Sequence, residues 1–354
     1  MIDRAFWRDQ RVLLTGHTGF KGTWLSLWLE QLGAEVFGLS LPPQTDPSMF
    51  SMIAPLGRQV SRLGDIRDPA FVTAVVQEAR PTVAIHMAAQ PLVRRSFREP
   101  IETYGTNVMG TAHLLDALRH ADDVKAILVV TTDKVYRNGN GGVSFTESDP
   151  LGGHDPYAAS KVATEFVVQS YASSYFGPKG VPVATARAGN VIGGGDWAED
   201  RLIPDLWRAV QAGEPLRLRN PQSTRPWQHV LEPLSGYLVY TERLAKGASV
   251  PGALNFGPLP GETLTVADVA DAMIAAIRSP QGWTTAQSDI PQPAESQYLA
   301  IDPALAKATI GWQPMLSPAA SLQWTAEWYR AVSQGANARA LSIEQLRRYE
   351  ALAA

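Results

Sequence analysis

The chain carries the sequence RVLLTGHTGFKG at residues 11–22, and this stretch decides the fold. Its first five residues form a short apolar run that predicts a buried strand, and residues 21–32 have the spacing of a helix. Gly16, Gly19 and Gly22 join the two in a G-x-x-G-x-x-G pattern. Such glycines allow a tight turn and close approach of the backbone to a pyrophosphate, and the helix N-terminus adds free amides and partial positive charge. A plain strand-to-helix turn would also explain them, but their position after the first strand favours a dinucleotide site.

Short apolar runs alternate with helical patterns through the first half of the chain. Strands that alternate with helices imply right-handed crossovers, which make the strands parallel and place helices on both faces of the sheet. The sequence therefore predicts an α/β fold with a Rossmann-type doubly wound parallel sheet. The predicted strands are 11–15, 36–39, 83–86, 127–131 and 183–187, and the predicted helices are 21–32, 68–80, 101–119 and 156–176.

The pattern changes after residue 187, where a run of glycines and frequent prolines break it into shorter pieces. A smaller C-terminal domain that binds the substrate is the natural interpretation of this half. The last residues are alanine-rich and charged, which fits a terminal helix or a frayed tail. We expect a Rossmann domain at 1–188 to which 226–257 return, a substrate-binding domain at 189–225 and 258–332, and a terminal segment at 333–354.

Composition and charge argue against several classes of function. The chain has 354 residues, a formal net charge of −3 and no long basic run, so a sequence-independent grip on nucleic acid is not expected. It has no cysteine, and its 6 histidines show no metal-ligand spacing, so we expect no disulfide and no metal site. The first residues lack the apolar core of a signal peptide, and no apolar stretch approaches the length that spans a bilayer. These features predict a cytoplasmic protein with no membrane contact.

The end of the second predicted strand lacks the usual ribose-binding residue. Dinucleotide-binding folds generally place an acid there for the ribose hydroxyls, or an arginine nearby for a 2′-phosphate. Residues 39–42 read LSLP and offer neither, so they leave both NAD and NADP open. Further along, Asp65 could bind the adenine amino group with Ile66 packed on the ring, or the segment could be only a turn before a helix cap at Asp68.

Residues 155–161 read DPYAASK and hold the most informative pair of side chains. Asp155 suits the N-cap of a helix and Pro156 its first position, so that Tyr157 and Lys161, four residues apart, share one face. A free tyrosine has a pKa near about 10, and a nearby ammonium together with a cationic nicotinamide ring would lower that pKa. Tyr157 could then take a hydroxyl proton as hydride leaves the carbon, while Lys161 binds the nicotinamide ribose. The alternative is a tyrosine–lysine pair on a solvated helix face.

Together these motifs resemble the extended short-chain dehydrogenase/reductase superfamily over nearly the whole chain. The resemblance includes HMAA at residues 86–89, Asn107, and TTD at residues 131–133. It implies NAD as the cofactor. We expect His17 to shape the turn and His86 to be a packing residue. Lys21 would help with phosphate charge or make a local hydrogen bond. The residues implied at the cofactor are Gly16, Thr18, Gly19, Phe20, Lys21, Gly22, Asp65, Ile66, Ala88, Ala89, Gln90, Asn107, Tyr157 and Lys161.

Residues 187–193, RAGNVIG, resemble the nucleotide-sugar members of this superfamily. The resemblance implies a nucleotide-sugar substrate contacted by Asn190, Arg201 and Arg225, and a hydrogen bond between Thr132 and the sugar O4. A guanidinium fork matches phosphate oxygens, which suits Arg225 to the pyrophosphate of the substrate. Each of the three substrate residues could instead be an ordinary surface residue.

Asp133 and Lys134 discriminate between reactions within that group. Epimerases usually carry small or uncharged residues here, whereas sugar 4,6-dehydratases carry an acid–base pair, commonly Asp-Glu. The Asp-Lys variant, with RPWQHVLEP at residues 225–233, resembles the 4,6-dehydratases that act on CDP-glucose. Oxidation at C4 would acidify the C5 proton, so we assign Asp133 as the acid at O6 and Lys134 as the base at C5, made neutral by burial and nearby cations. Lys134 could instead stabilise the enolate as a cation, or the two residues could form a strand-end salt bridge.

Two other functions stay open at this point: a 4,6-dehydratase or 4-epimerase for another nucleotide sugar, and a non-catalytic dinucleotide-sensing protein. The resemblance also implies a homodimer formed through helices 101–119 and 156–176. Apolar positions on these helices could form such an interface or could face the sheet of the same subunit. These positions are Val108, Leu115, Val162, Phe166 and Val167.

Overall fold

The computed structural model describes residues 2–286 and 297–352. One large sheet and three short strand pairs account for the β-structure of these residues. The strands are β1 (Arg11–Thr15), β2 (Glu35–Ser40), β3 (Gln59–Leu63), β4 (Val83–His86), β5 (Ala126–Val130), β6 (Val183–Ala188), β7 (Val191–Ile192), β8 (Leu216–Leu218), β9 (Thr224–Arg225), β10 (Gln228–His229), β11 (Ala253–Phe256), β12 (Leu264–Thr265) and β13 (Trp283–Thr285).

The helices of the described residues are α1 (Arg4–Trp7), α2 (Phe20–Leu32), α3 (Met49–Ile53), α4 (Pro69–Ala79), α5 (Val93–Arg98), α6 (Pro100–Tyr104), α7 (Gly110–Leu118), α8 (Pro156–Tyr171), α9 (Leu202–Ala212), α10 (Leu231–Ala245), α11 (Val266–Ile277), α12 (Ala304–Ile310), α13 (Pro318–Ser333) and α14 (Ala338–Leu352). A π-helical turn at Gly105–Met109 joins α6 to α7, and another at Ala172–Phe176 follows α8. The helices predicted at 101–119 and 156–176 are therefore present, but each contains a wider turn.

The seven-stranded sheet has the order β11-β6-β5-β4-β1-β2-β3, and all neighbouring strands are parallel. This confirms the predicted doubly wound sheet. The strand order reverses around β1, where Thr15 pairs with Leu39 on one side and with His86 on the other. Connections leave the sheet in opposite directions at such a point, so a crevice opens beyond the carboxyl ends of these strands.

Apolar side chains cover both faces of the sheet, as expected for buried parallel strands. One face packs mainly on α2 and α10, and the other packs on α4, α7 and α8. Leu115 is completely buried in the second of these layers, so it faces the sheet of its own subunit. Phe166 on α8 points away from that layer, and 56% of its surface is exposed.

Both ends of the described chain pack on α2. A short helix, α1, precedes β1 and is capped by the carboxylate of Asp3. The terminal segment is a helix, α14, up to residue 352, rather than a frayed tail. Tyr349 of α14 packs edge-on against Trp28 of α2 with ring centroids 5.7 Å apart. Arg339 pairs with Glu30 at 2.6 Å, which fixes the start of α14 to the same helix.

The second half of the chain returns to the large sheet. β11 pairs with β6 at the sheet edge, and it lies within the segment 226–257 that the sequence assigned to the Rossmann domain. The short strands pair as β7 with β10, β8 with β13, and β9 with β12. Residues 287–296, which fall in the predicted substrate-binding domain, lie outside the described residues. None of the described helices is both long and apolar enough to cross a membrane.

Candidate active site

One cavity of about 820 Å³ lies beyond the carboxyl ends of β1, β4 and β5. Its walls come from the glycine loop, the segments after β2, β4 and β5, the start of α8, and the region between β6 and α10. Every predicted site residue lines this cavity except Asn107. Those that line it are Gly16, Thr18, Gly19, Phe20, Lys21, Gly22, Asp65, Ile66, Ala88, Ala89, Gln90, Thr132, Asp133, Lys134, Tyr157, Lys161, Asn190, Arg201 and Arg225.

Two glycines shape the loop between β1 and α2. Gly16 has a φ of +76°, and a Cβ atom there would lie 2.8 Å from the backbone nitrogen of Ala88. A Cβ atom on Gly22 would lie 2.0 Å from the carbonyl oxygen of Gly16. The N-cap of α2 is Gly19, which has no side chain to satisfy the first-turn amides. The tight loop and these amides at the cavity wall fit the pyrophosphate of a dinucleotide.

Lys21 turns away from this loop toward the interior. Its Nζ donates a hydrogen bond to the hydroxyl of Tyr237 on α10 at 2.9 Å. Burial, and to a smaller extent the charges of Arg201 and Lys161, lower the pKa of Lys21 to about 7. The structure thus shows a long-range hydrogen bond for this lysine, and not the local one that was among its predicted roles. Tyr237 lies 216 positions away, and the sequence held no signal that pairs the two residues.

The side chains of His17 and His86 are both buried, which for His86 is the packing role that was predicted. The Nε2 of His17 lies 2.7 Å from the hydroxyl of Ser61. The two ring nitrogens of His86 lie 2.6 Å from the hydroxyl of Thr15 and 2.9 Å from that of Thr111. Burial lowers the pKa of His17 to about 4 and that of His86 to about 3, so both rings are neutral at pH 7.

Asn107 stands behind the cavity and positions one of its walls. Its side-chain oxygen accepts a hydrogen bond from the backbone nitrogen of Gln90 at 2.8 Å. Its amide nitrogen donates to the carbonyl of Gln90 at 3.2 Å and to the hydroxyl of Ser160 at 2.8 Å. These contacts tie the loop that carries Ala88 and Ala89 to α8, so Asn107 supports the predicted cofactor residues rather than facing the cavity.

Asp65 and Ile66 line the cavity just beyond β3, where the sequence left two roles open. Asp68 caps α4 by accepting a hydrogen bond from the backbone nitrogen of Ala70 at 2.9 Å, so the cap that was one alternative is present. The carboxylate of Asp65 pairs with the guanidinium of Arg67, and this pairing lowers the pKa of Asp65. The helix cap at Asp68 is compatible with the proposed adenine contact, because Asp65 and Ile66 still line the cavity.

Tyr157 and Lys161 lie at the start of α8, where Asp155 caps the helix through the backbone nitrogen of Ala158 at 2.8 Å. Both side chains are buried, and the Nζ of Lys161 donates to the carbonyl of Val130 at 3.2 Å. A solvated helix face is thereby excluded for this pair.

The pKa of Tyr157 does not shift in the direction predicted from cationic neighbours. Burial raises it to about 12 and outweighs the lowering effects of a hydrogen bond with Thr132 and of the charge of Arg201. Burial also lowers the pKa of Lys161 to about 8, opposed by the charge of Glu165. The protein alone therefore keeps Tyr157 as a phenol.

A buried ion pair fixes α8 against the sheet one turn beyond Lys161. Both carboxylate oxygens of Glu165 accept hydrogen bonds from Arg187 of β6 at 2.9 Å. The hydroxyls of Thr131 and Thr185 donate to the same carboxylate at 2.6 Å and 2.9 Å. Sequence reasoning missed this network because its members come from β5, β6 and α8.

Thr132, Asp133 and Lys134 form the turn that follows β5. The hydroxyl of Thr132 donates to the Oδ1 of Asp133 at 3.0 Å. Asp133 is 1% exposed, and within the described residues its Oδ2 has no hydrogen-bond partner. A Cβ atom on Gly189 would lie 2.8 Å from that oxygen, so the glycine leaves room for it. The second carboxylate oxygen of Asp133 is thus available to a ligand at the cavity wall.

Lys134 is less buried than the sequence analysis expected, because 27% of its side chain is exposed. Its Nζ lies 3.8 Å from the Oδ1 of Asp133. The salt bridge that the sequence left as an alternative is therefore present, but it lies inside the cavity and not on a solvated turn.

The three predicted substrate residues all line the cavity, on segments that follow β6 in the chain. Arg201 pairs with Asp196 at 2.9 Å, and the charge of Asp196 raises the pKa of Arg201. Arg225 donates to the carbonyl of Thr224 at 2.9 Å. The segment around β8 also lines the cavity, and sequence reasoning missed it because this short strand carries no motif.

The fold and the site together define a class: a dinucleotide-dependent enzyme of the short-chain dehydrogenase type, with a glycine loop, a buried Tyr-x-x-x-Lys pair and an added acid–lysine pair after β5. The model of the family described as GDP-mannose 4,6 dehydratase matches residues 13–323. The chain belongs to this family of nucleotide-sugar dehydratases.

A curated relative is similar over almost its whole length. It is the CDP-glucose 4,6-dehydratase of Salmonella typhimurium, 44% identical over 341 residues, which cover 95% of this chain and 94% of the relative. Among solved structures, an epimerase from Methanothermobacter thermautotrophicus matches with a TM-score of 0.82 and 22% identity, covering 94% of this chain and 95% of that one. The UDP-glucose 4-epimerase of Thermus thermophilus, solved in complex with NAD, matches with a TM-score of 0.75 and 26% identity, covering 90% and 98%.

Proposed function

We propose that the protein is an NAD-dependent CDP-glucose 4,6-dehydratase, which converts CDP-glucose to CDP-4-keto-6-deoxyglucose with loss of water. The 44% identity over 95% of the chain to the Salmonella enzyme is the observation that carries this proposal. The placement of Asp133 and Lys134 beside Tyr157 in one cavity supports it, since an epimerase needs no acid–base pair for elimination.

The residues around the glycine loop fit NAD. Gly16 and Gly22 leave no room for side chains, the N-cap of α2 is a glycine, and Ala88 and Ala89 complete the wall. Bound NAD supplies the redox chemistry: it takes a hydride from C4 of the hexose and returns it to C6. The reaction has no net redox change, so the cofactor can stay bound through the cycle.

Tyr157 takes the proton of the C4 hydroxyl. Its pKa of about 12 in the protein alone shows how strongly burial disfavours the phenolate. A bound oxidised nicotinamide would supply a positive charge, which would oppose this effect. Thr132, which lines the cavity together with Tyr157, holds the sugar O4 in line with the phenol.

Asp133 and Lys134 carry out the elimination as a pair. The C4 ketone acidifies the C5 proton, Lys134 removes it, and Asp133 protonates the O6 hydroxyl as it leaves as water. The two charged groups lie 3.8 Å apart, so transfer of one proton from the ammonium to the carboxylate generates the amine base and the carboxylic acid together. Lys134 then returns its proton to C5.

Thr132 connects the two proton sites. At the end of the cycle Tyr157 holds the proton from O4, and Asp133 lacks the one it gave to O6. The Thr132 hydroxyl donates to the Oδ1 of Asp133 at 3.0 Å, and Thr132 lines the same cavity as Tyr157. It can therefore pass a proton from the phenol to the carboxylate, which restores both groups.

Arg225 and Arg201 bind the pyrophosphate of the sugar nucleotide, and Asn190 contacts the substrate, in this proposal. All three residues line the same cavity as Asp133. Two guanidinium groups suit the two phosphates, because planar forks match phosphate oxygens.

Incubation with CDP-, dTDP-, GDP- and UDP-glucose in separate reactions tests the substrate. We expect the ultraviolet absorbance of a 4-keto-6-deoxy sugar with CDP-glucose, and much less with the other three. Product from another nucleotide sugar would identify a sibling dehydratase, and inversion at C4 without loss of water would identify an epimerase. Cofactor binding with no turnover of any sugar would indicate a sensing protein.

Two further features belong to this proposal. A homodimer would form through α6, α7 and α8, because Ile101 on α6, Met109 in the turn before α7 and Phe166 on α8 are apolar and 83%, 51% and 56% exposed. Sedimentation of the wild type and of a Phe166→Glu variant tests this, with the variant shifting toward monomer. The cytoplasmic location of the protein also stays a prediction, and cell fractionation can check it.

A further inference from the structure

The end of β5 is bound to α8 at two successive positions. The carbonyl of Val130 accepts a hydrogen bond from the Nζ of Lys161 at 3.2 Å. The hydroxyl of the next residue, Thr131, donates to the Oε1 of Glu165 at 2.6 Å. Tyr157, Lys161 and Glu165 follow one another at intervals of four residues, so their side chains share one face of α8. The end of β5 is therefore attached to the helix face that carries the proposed base.

The turn that follows β5, at residues 132–135, is held on its far side by the partner of Glu165. The hydroxyl of Tyr136, the residue after the turn, accepts a hydrogen bond from the Nη1 of Arg187 at 3.0 Å. The guanidinium carbon of Arg187 lies 5.2 Å from the centre of the same ring. Arg187 also donates to both carboxylate oxygens of Glu165 at 2.9 Å. One ion pair thus holds the residue before the turn and the residue after it.

This ion pair is better suited to fixing geometry than to adding stability. The side chains of Glu165 and Arg187 are 1% and 3% exposed, and removing two charges from water costs free energy that offsets much of their attraction. An apolar pair of similar volume is often as stable. The carboxylate accepts two hydrogen bonds from Arg187 and one each from Thr131 and Thr185, which occupies its roughly four acceptor positions. A saturated carboxylate facing a planar fork has one orientation.

We infer that Glu165 and Arg187 are positioning residues that keep the turn at 132–135 in register with the helix face of Tyr157 and Lys161. The sugar must present C4 to the phenol and C5 and C6 to the turn at the same time. A displacement of about 1 Å between two such groups can cost about 10²-fold in rate. The inference rests on the proposed function, because that function assigns oxidation to the helix face and elimination to the turn.

Thr131→Val and Thr185→Val form a matched pair of variants. Each removes one hydroxyl donor from Glu165, but only Thr131 adjoins the turn, whereas Thr185 lies inside β6 and does not line the cavity. We expect Thr131→Val to slow elimination about tenfold relative to C4 oxidation, so that absorbance of reduced nicotinamide rises during turnover of CDP-glucose. Thr185→Val should leave the ratio of the two steps unchanged. Equal ratios in the two variants would overturn the inference.

Replacing both charges separates position from stability. In the double variant Glu165→Met, Arg187→Met, no unpaired charge is buried, so the denaturant midpoint should stay near that of the wild type. Elimination should nevertheless slow by about 10²-fold, and the backbone amides of residues 132–136 should exchange with deuterium faster. Normal dehydration together with normal exchange in this variant would overturn the inference. If the double variant does not fold, the comparison of Thr131→Val with Thr185→Val decides.

The double variant Glu30→Met, Arg339→Met is the control. It removes another ion pair with two hydrogen bonds, between α2 and α14, and neither residue lines the cavity. We expect it to change neither the ratio of the two steps nor the exchange at residues 132–136. The exchange measurement needs no sugar, so it tests the positioning role by itself. Absence of product from the wild type with every nucleotide sugar would count against the proposed function instead.

Discussion

The two ends of the cavity are lined by different kinds of groups. At the catalytic end, Tyr157 and Lys161 are buried, and burial moves the pKa of each toward the neutral form, to about 12 and about 8. At the other end, next to β2, Thr18 and Ser40 are also buried, yet they contribute only neutral hydroxyls. Burial is common to both ends, so it does not by itself create reactivity. It changes proton affinity where ionisable groups are buried, and it fixes hydrogen-bond direction where they are not.

Of the variants considered, Tyr157→Phe should lose the most turnover. A small loss would contradict the contrast between the two ends of the cavity. Removing the phenol leaves no group to take the C4 hydroxyl proton, so turnover should fall by about 10²-fold or more. NAD affinity should stay close to that of the wild type, as calorimetry would show. Tyr136→Phe is a suitable control, since Tyr136 lines the cavity but its hydroxyl is bound to Asn255 and Arg187. Similar losses in both variants would contradict the role of Tyr157 as the base.

Lys134→Ala tests the elimination step alone. Oxidation at C4 should persist while loss of water slows by about 10²-fold, because the C5 proton has no base. Absorbance of reduced nicotinamide would then accumulate, with little 4-keto-6-deoxy product. Lys134→Arg separates the two roles left open by the sequence, because arginine keeps the cation but does not accept a proton at neutral pH. Restored dehydration in Lys134→Arg would make the residue a stabiliser of the enolate instead of a base.

A pH profile of kcat/KM should report Lys161. Because its pKa is lowered to about 8, its ammonium is lost as the pH rises through that value. We expect kcat/KM to fall above pH 8, by about tenfold per unit at the steepest part. Lys161→Arg keeps its charge, so its profile should stay flat across this range although its maximum is lower. A falling limb at the same pH in that variant would assign the limb to another group.

Glu232 shows what burial of an ionisable group does away from the chemistry, and its effect should be the smallest. Burial raises its pKa to about 7 although it accepts hydrogen bonds from Leu316, Met315 and Tyr349. A carboxyl whose folded-state pKa is raised contributes stability at low pH that is lost as the pH rises from about 4.5 to about 7. Glu232→Gln should remove about 1–3 kcal/mol of this pH dependence. Denaturant unfolding at pH 5 and pH 8 would show it, and an equal pH slope in the two proteins would contradict it.

Local patterns predicted the elements of the first half closely. Three local features depend only on neighbouring residues in the chain: the apolar run at Arg11–Thr15, the helix cap at Asp155 and the glycines at 16, 19 and 22. Their structural roles could therefore be predicted before the fold was known. The wider turn at Gly105–Met109 was not predicted, because a π-turn keeps the apolar spacing of a helix nearly unchanged.

Contacts between distant segments could not be predicted from the sequence, for a different reason. The bond between Lys21 and Tyr237 spans 216 positions, and the position of Asn107 behind the cavity depends on how α8 packs. The raised pKa of Tyr157 was likewise unpredictable, because charge neighbours can be guessed from spacing whereas burial cannot.

The sequence by itself determined the doubly wound sheet, the dinucleotide loop and the set of side chains that carry the proposed chemistry, because periodicity, caps and short motifs depend on local chain geometry. Only the tertiary structure decided which of these side chains share a cavity and how deeply each is buried. Proton affinity and hydrogen-bond direction depend on solvent exclusion and on partners brought together by folding, and neither is encoded in the spacing of residues along the chain.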